Sequence, residues 1–238
     1  MTTIKPTSKS NCEQHFKYAL WWYVAALLVM CFGSFMAAQY YPGGFNWFYT
    51  VASALASQKH NPIGSVWFAG SLSLSMLLLW LYVTSIKAGL SAMLPSVGFA
   101  ITAIRFGLVC GFLLGVEKLF IHDLSHWIYK AHEVLALLTL LGLYVGILNL
   151  LLQFIHYKKV NIFYVFLIVS PLVAIAITEL WLYLEQRDLG WVDTHWREKG
   201  LPFWLSFAFW QWLSIGLLWI GLGMLHIFVK VKRVGDNC

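Results

Sequence analysis

The densest run of side chains able to do chemistry is His122-Asp123-Leu124-Ser125-His126, followed by His132-Glu133. Imidazoles at i and i+4 of a helix share one face, so His122 and His126 have the spacing to reach a single Zn²⁺ at ~2.0 Å. His132 could join them only if the chain turned between Trp127 and Ala131, because on a continuous helix it would sit ~15 Å beyond His122. No Gly or Pro there favours such a turn. With a metal held by His122, His126 and His132, Asp123 or Glu179 would supply the acid or base of a membrane hydrolase. The competing reading is interfacial. The run lacks the glutamate of H-E-x-x-H, and His, Asp, Ser and Lys beside Trp127 and Tyr129 are what a loop at a membrane surface is made of. On that reading the chain holds no metal and no cofactor. Haem is disfavoured because His226 has no second histidine at its depth to complete an axial pair.

Two further residues stand out because of where they fall. Arg105 is a full charge deep in an apolar stretch, where burial costs at least ~2.5 to 3.5 kcal/mol, so it must face the bundle interior or reach back toward the surface. Asn149, expected at a comparable depth on an antiparallel helix, has an amide oxygen to offer it. The pair is either a lock between helices or a contact for a ligand or lipid headgroup. Trp210 and Trp212, in an aromatic-rich last helix with Trp204 and Trp219, are candidate lipid contacts in a chain with 13 Trp.

These residues need a scaffold, and composition dictates its kind. Hydrophobic residues make up 60% of the 238 and charged residues 11%, with a mean hydropathy of +0.72; a soluble domain carries ~25% charged residues. A bilayer core of ~30 Å is crossed by ~20 apolar residues in a helix. Six stretches qualify: 18–38, 64–86, 93–116, 132–155, 162–184 and 203–229. None alternates with the period of a barrel strand. The expected fold is all-α, one domain (1–238), a bundle of six transmembrane helices. The first stretch exceeds the apolar core of a secretory signal and is expected to stay as an anchor. Pro171 should kink the fifth helix, and Gly107, Gly111 and Gly115 form a small-xxx-small stripe for close packing.

Lys and Arg set the orientation. Nine fall on the side holding both termini and six on the other, with Arg105 inside a span, so both termini are expected in the cytoplasm. The choice between a bacterial inner membrane and a eukaryotic endomembrane stays open. No cysteine falls in an outer loop, which argues against a disulfide framework. The net charge of +6 suits anionic headgroups; no nucleic-acid motif accompanies it, and the expected partners are membrane lipids.

The first outer loop carries a resemblance. Tyr41-Pro42-Gly43-Gly44-Phe45, Ser53-Ala54-Leu55-Ala56, and His60-Asn61-Pro62 leading to Trp67-Phe68-Ala69-Gly70 resemble the loop and second helix of the DRAM-like six-helix membrane proteins and a related prokaryotic six-helix family of unknown function. Ala54 and Ala56 stand where those families usually have aspartate and glycine. Asp123 followed by His132 is similar to the family's acidic loop and single histidine. The resemblance implies membrane residence and, in some members, lipid organisation or trafficking, with no established catalytic residues. The function expected is a non-catalytic membrane protein engaged with lipid, its alternatives being the metal-dependent hydrolase above and a small transporter lined by Arg105 and the Pro171 kink.

Overall fold

The computed structural model describes residues 7–120, 131–158, 161–184, 200 and 202–235. The described residues are helical apart from turns and connections: α1 (Thr7–Gln39), α2 (Ala52–Ala56), α3 (Ser65–Ser91), α4 (Val97–Phe120), α5 (Ala131–Lys158), α6 (Phe163–Leu184), a 3-10 turn (Phe203–Leu205) and α7 (Phe207–Gly235). Among the described residues five stretches, Tyr18–Gln39, Ser65–Ser91, Val97–Phe120, Ala131–Tyr157 and Phe207–Val229, are long and apolar enough to cross a membrane. In α6 the stretch meeting the same apolar criterion is the shorter Phe163–Ile177.

Several boundaries differ from the sequence expectation, each for a local reason. α4 begins at Val97 instead of Met93 because Pro95 disfavours helix at the residue before it; the chain turns there, with Met93 N donating to Leu90 O at 3.0 Å. Pro202 has a similar effect on the last helix. A single 3-10 turn follows it, and Ser206 is extended before α7 starts. The connection between α1 and α3 contains α2, whose Ala52, Ala54, Leu55 and Ala56 are all buried.

Backbones approach where side chains are smallest. A Cβ at Gly142 would lie 2.7 Å from Gly107 N, and one at Gly107 would lie 2.8 Å from Thr139 O, so α4 and α5 cross in backbone contact. A Cβ at Gly146 would meet Ala100 O at 2.7 Å, and one at Gly115 would meet Ala69 O of α3 at 2.7 Å. The stripe expected from sequence is thus a packing stripe, shared between α5 at Gly107 and α3 at Gly115. α1 uses a similar face: Ala19, Ala26 and Ala37 are fully buried, while Trp21, Leu28, Phe32 and Phe35 point outward and are exposed. Large apolar side chains left exposed along a helix match a lipid environment rather than water.

Several polar groups inside the bundle bond carbonyls of their own helix or of a neighbour. Ser71 and Ser75 of α3 donate to Phe68 O and Leu72 O, each at 2.9 Å, within their own helix. Two tyrosines tie α7 to its neighbours: Tyr23 of α1 donates to Trp219 O at 2.8 Å and Tyr82 of α3 to Leu222 O at 2.7 Å. Pro171 lies inside α6, where it removes the N–H that would serve Leu167 O. The Ser170 hydroxyl donates to that carbonyl instead, at 3.1 Å, a substitution of side chain for backbone that membrane helices use around proline.

Cross-helix pairs fix the course of the chain. Tyr23 packs on Tyr82, while Asn61, just before α3, bonds Ala37 near the end of α1, so α1 and α3 are antiparallel. Gly107 against Gly142 and Ala100 beside Gly146 make α4 and α5 antiparallel. Phe68 meets Trp212 and Tyr82 meets His226, so α3 and α7 run the same way. The start of α1 and the end of α7 therefore lie at one end of the bundle.

Gly142→Val is expected to lower the unfolding midpoint in detergent, since overpacking typically costs ~1 to 3 kcal/mol, whereas Gly98→Ala, with nothing within 4 Å of its added Cβ, should leave it unchanged. Ser170→Ala should cost ~1 kcal/mol in the parent and much less beside Pro171→Ala, where a backbone N–H again reaches Leu167 O; a thermal-unfolding double-mutant cycle reads the difference.

Candidate functional site

The bundle is not filled solid. Between α3, α4, α5 and α7 lies a cavity of about 140 Å³, roofed by Ala52, Ser53 and Ala56 of α2. Its walls are apolar, with Met30, Phe68, Met76 and Trp219 among them. On α3, α5 and α7 the lining runs from Phe68 to Leu79, His132 to Leu143 and Gln211 to Leu222, three helical turns or ~16 Å in each case. Polar groups are confined to the outer part: Lys118 near the end of α4, His132 in the first turn of α5, Ser53 of α2 and Gln211 in the first turn of α7, with Thr139 deeper. The Thr139 hydroxyl is satisfied by Leu135 O at 2.7 Å.

The roof is held by Asn61, which is fully buried. Its amide nitrogen donates to Ala37 O at 2.9 Å and Leu55 O at 3.3 Å, and its Oδ1 accepts from Gly64 N at 3.0 Å. One side chain thus joins the end of α1, the body of α2 and the approach to α3. A Cβ at Gly64 would lie 2.6 Å from Ala37 O, so only glycine lets the chain pass. The far side of the roof is tied to α7. Ala52 N donates to Gln211 Oε1 at 2.9 Å and Trp212 Nε1 donates to Thr50 O at 3.0 Å. Gly43 and Gly44, with φ of 76° and 86°, turn the chain back toward this roof in a conformation that suits glycine. Tyr41 packs edge-on against Phe45, and burial pushes its phenol above the usual range, keeping it protonated and neutral.

The residues singled out by sequence separate into groups. His132 is at the cavity mouth, its Nε2 3.9 Å from Glu133 Oε1. His122, Asp123 and His126 lie outside the described residues, and Glu179 lies on α6 beyond the positions whose side chains are described. Among the described residues no three His, Cys, Asp or Glu side chains are grouped closely enough to hold a metal. Trp212 is half-buried and structural in its contacts, meeting Phe45, Trp47 and Phe68 edge-on. Trp210, also half-buried, donates its indole N–H to Trp204 O at 2.7 Å.

Arg105 and Asn149 are not partners. Because Gly146 meets Ala100, Asn149 lies toward Ser96, more than a turn from Arg105, and its Oδ1 accepts from Gln153 Nε2 at 2.7 Å. Gln153 Nε2 also donates to Ser96 O at 2.7 Å, closing the α3–α4 turn onto α5. Arg105 turns to α3 instead, donating to Thr84 Oγ1 at 3.0 Å with its guanidinium 5.0 Å from the Trp80 ring centroid.

Glu117 is a residue the sequence reading passed over. Ending the span at Val116 left it in a loop, but α4 runs to Phe120 and buries it. Its Oε2 makes no hydrogen bond and faces Lys118 Nζ at 3.4 Å, so a carboxylate behind the cavity wall offsets the charge of the lysine at the mouth. An acid within an apolar run is the signal that would have exposed it.

Helices of this length and apolarity make the chain an all-helical integral membrane protein. No protein-family model, curated protein or solved structure matches it.

Asn61→Ala should lower stability by roughly 2 to 4 kcal/mol, because it strands buried groups at Ala37, Leu55 and Gly64 together. Asn61→Asp should be worse still, since it keeps the acceptor but buries a charge. Thermal unfolding in detergent measures both.

Proposed function

We propose that this protein spans the membrane six times, with both termini in the cytoplasm, and that it is a non-catalytic lipid-binding protein holding an acyl chain in its central cavity. The cavity is the observation that carries the reading. Its depth of ~16 Å is close to the hydrocarbon of one leaflet, half of a ~30 Å core. Its lining is apolar where a tail would lie and polar at Ser53, Lys118, His132 and Gln211, where the tail would meet a headgroup. Ligand sites are commonly of this kind, largely apolar with a few placed polar groups. Methionines at positions 30 and 76 suit a wall that adapts to tails of different shape.

The six-span count adds α6, with 22 residues, to the five longer spans. Alternating direction along the chain and the Lys/Arg asymmetry support the orientation. The likeness of the first outer loop to the DRAM-like proteins points the same way, toward membrane organisation, and in this chain those residues build the cavity roof.

The test is native mass spectrometry of the full chain released from detergent, compared with Ala136→Trp, which places an indole in the cavity. The parent should carry a co-purifying lipid and the variant should lose most of it while keeping its unfolding midpoint within a few degrees. Equal lipid occupancy in parent and variant would remove the cavity from the function. About one zinc ion per chain would move the assignment to the metal-dependent hydrolase.

A further inference from the structure

Arg105 sits at the head of a second, separate groove. On α4, Leu108, Val109 and Phe112 follow it at i+3, i+4 and i+7; on antiparallel α3, Trp80, Leu77 and Met76 run away from Thr84 at matching intervals. These six side chains line an apolar groove of about 210 Å³. Leu77 and Val109 are exposed, so the groove opens on the outside of the bundle and not into the central cavity. One end therefore carries a guanidinium and a hydroxyl, and the other runs toward the middle of the membrane.

Among the residues whose side chains are described, no carboxylate lies at that end. Arg105 bonds Thr84 and lies against Trp80, while its Nε is buried without a hydrogen bond. The carboxylates with described side chains are Glu117 and Glu133. Glu117 is twelve residues further along α4, ~18 Å away, and Glu133 starts α5 at that same far end. A charge at this depth calls for a counter-charge. Depth allows a lipid to provide it: α3 is 27 residues long, ~40 Å against a ~30 Å core, so Thr84, seven residues from its end, lies only ~5 Å below the hydrocarbon boundary. A long arginine side chain bridges such a distance.

We propose that this groove binds a lipid phosphate monoanion or diester of the leaflet on the α3–α4 turn side, its phosphate on Arg105 and Thr84 and one acyl chain along Trp80, Leu108, Val109 and Phe112. Guanidinium matches phosphate through paired N–H donors and takes the aromatic face of Trp80 as its backing. A lipid without a headgroup amine is preferred, because an added ammonium would be brought near Arg105. Met76 is the one lining residue this groove shares with the central cavity.

The full chain is titrated with phosphatidylglycerol and with phosphatidylcholine of identical acyl chains, and bound lipid is counted by native mass spectrometry. Phosphatidylglycerol should bind more tightly to the parent, and Arg105→Gln should weaken it about tenfold, the loss of a charge-assisted bond, while phosphatidylcholine changes little. Arg105→Lys should recover part of the preference. Val109→Trp, which fills the groove and leaves Arg105 in place, should weaken both lipids. Inorganic phosphate competing equally well in the parent and in Val109→Trp would assign Arg105 to a free anion and overturn the lipid site. So would an unchanged preference in Arg105→Gln at an unchanged unfolding midpoint. Ala136→Trp should leave this binding intact, which separates failure here from failure of the central cavity.

Discussion

Backbone contact between Gly107 and Gly142 is the interaction on which the rest of the bundle depends. In lipid the hydrophobic effect does not draw helices together, since the solvent is as apolar as the side chains, and association rests on close packing and internal hydrogen bonds. Two helices that touch at the backbone set a fixed level for each other. From that level follow the position of Ala100 beside Gly146, the closure of the Ser96 turn by Gln153, and the placing of Arg105 opposite Thr84 instead of Asn149. α3 joins the same seam through Ala69 and Gly115.

Tight contact along α1, α3, α4 and α5 gives way to sparser contact where α7 meets α1, α3 and α5, while α7 packs chiefly on α6. Toward those neighbours α7 is held by directed bonds at its edges: tyrosine hydroxyls from Tyr23 and Tyr82 on its carbonyls, and Gln211 and Trp212 to the roof. Tethers of this kind hold a helix at a distance, and the space left between is the central cavity. The roof works by the same economy. α2 has five residues, too few for a helix to persist alone, and is kept in place by Asn61 below and Gln211 beside it.

Charge is arranged at the two ends of this frame in different ways. At the cavity mouth Lys118 has Glu117 behind it, so the mouth is polar without a strong net field. At the other end, among the described residues, Arg105 meets a hydroxyl and an aromatic face. The first arrangement is close to neutral and the second leaves a positive charge facing the groove. A protein with both surfaces would hold one lipid tail inside and one lipid at its flank, from opposite leaflets.

Composition and apolar run length by themselves determined that the chain is helical and membrane-embedded, because a lipid solvent leaves a backbone few ways to satisfy its hydrogen bonds. The spacing of Gly107, Gly111 and Gly115 likewise declared a packing face, and Pro171 was legible inside its helix. Other features were decided only in three dimensions. Asn61 looks like an ordinary loop residue until the end of α1, the body of α2 and the approach to α3 present their backbone groups to it. Arg105 has a choice of partners that depends on the relative height of two helices, which Gly107 and Gly142 set by contact and no single-helix pattern encodes. The cavity is the extreme case, a volume left over where α7 stands off from its neighbours: no residue lining it is unusual in type, and only the tertiary arrangement brings Lys118, His132 and Gln211 to one mouth.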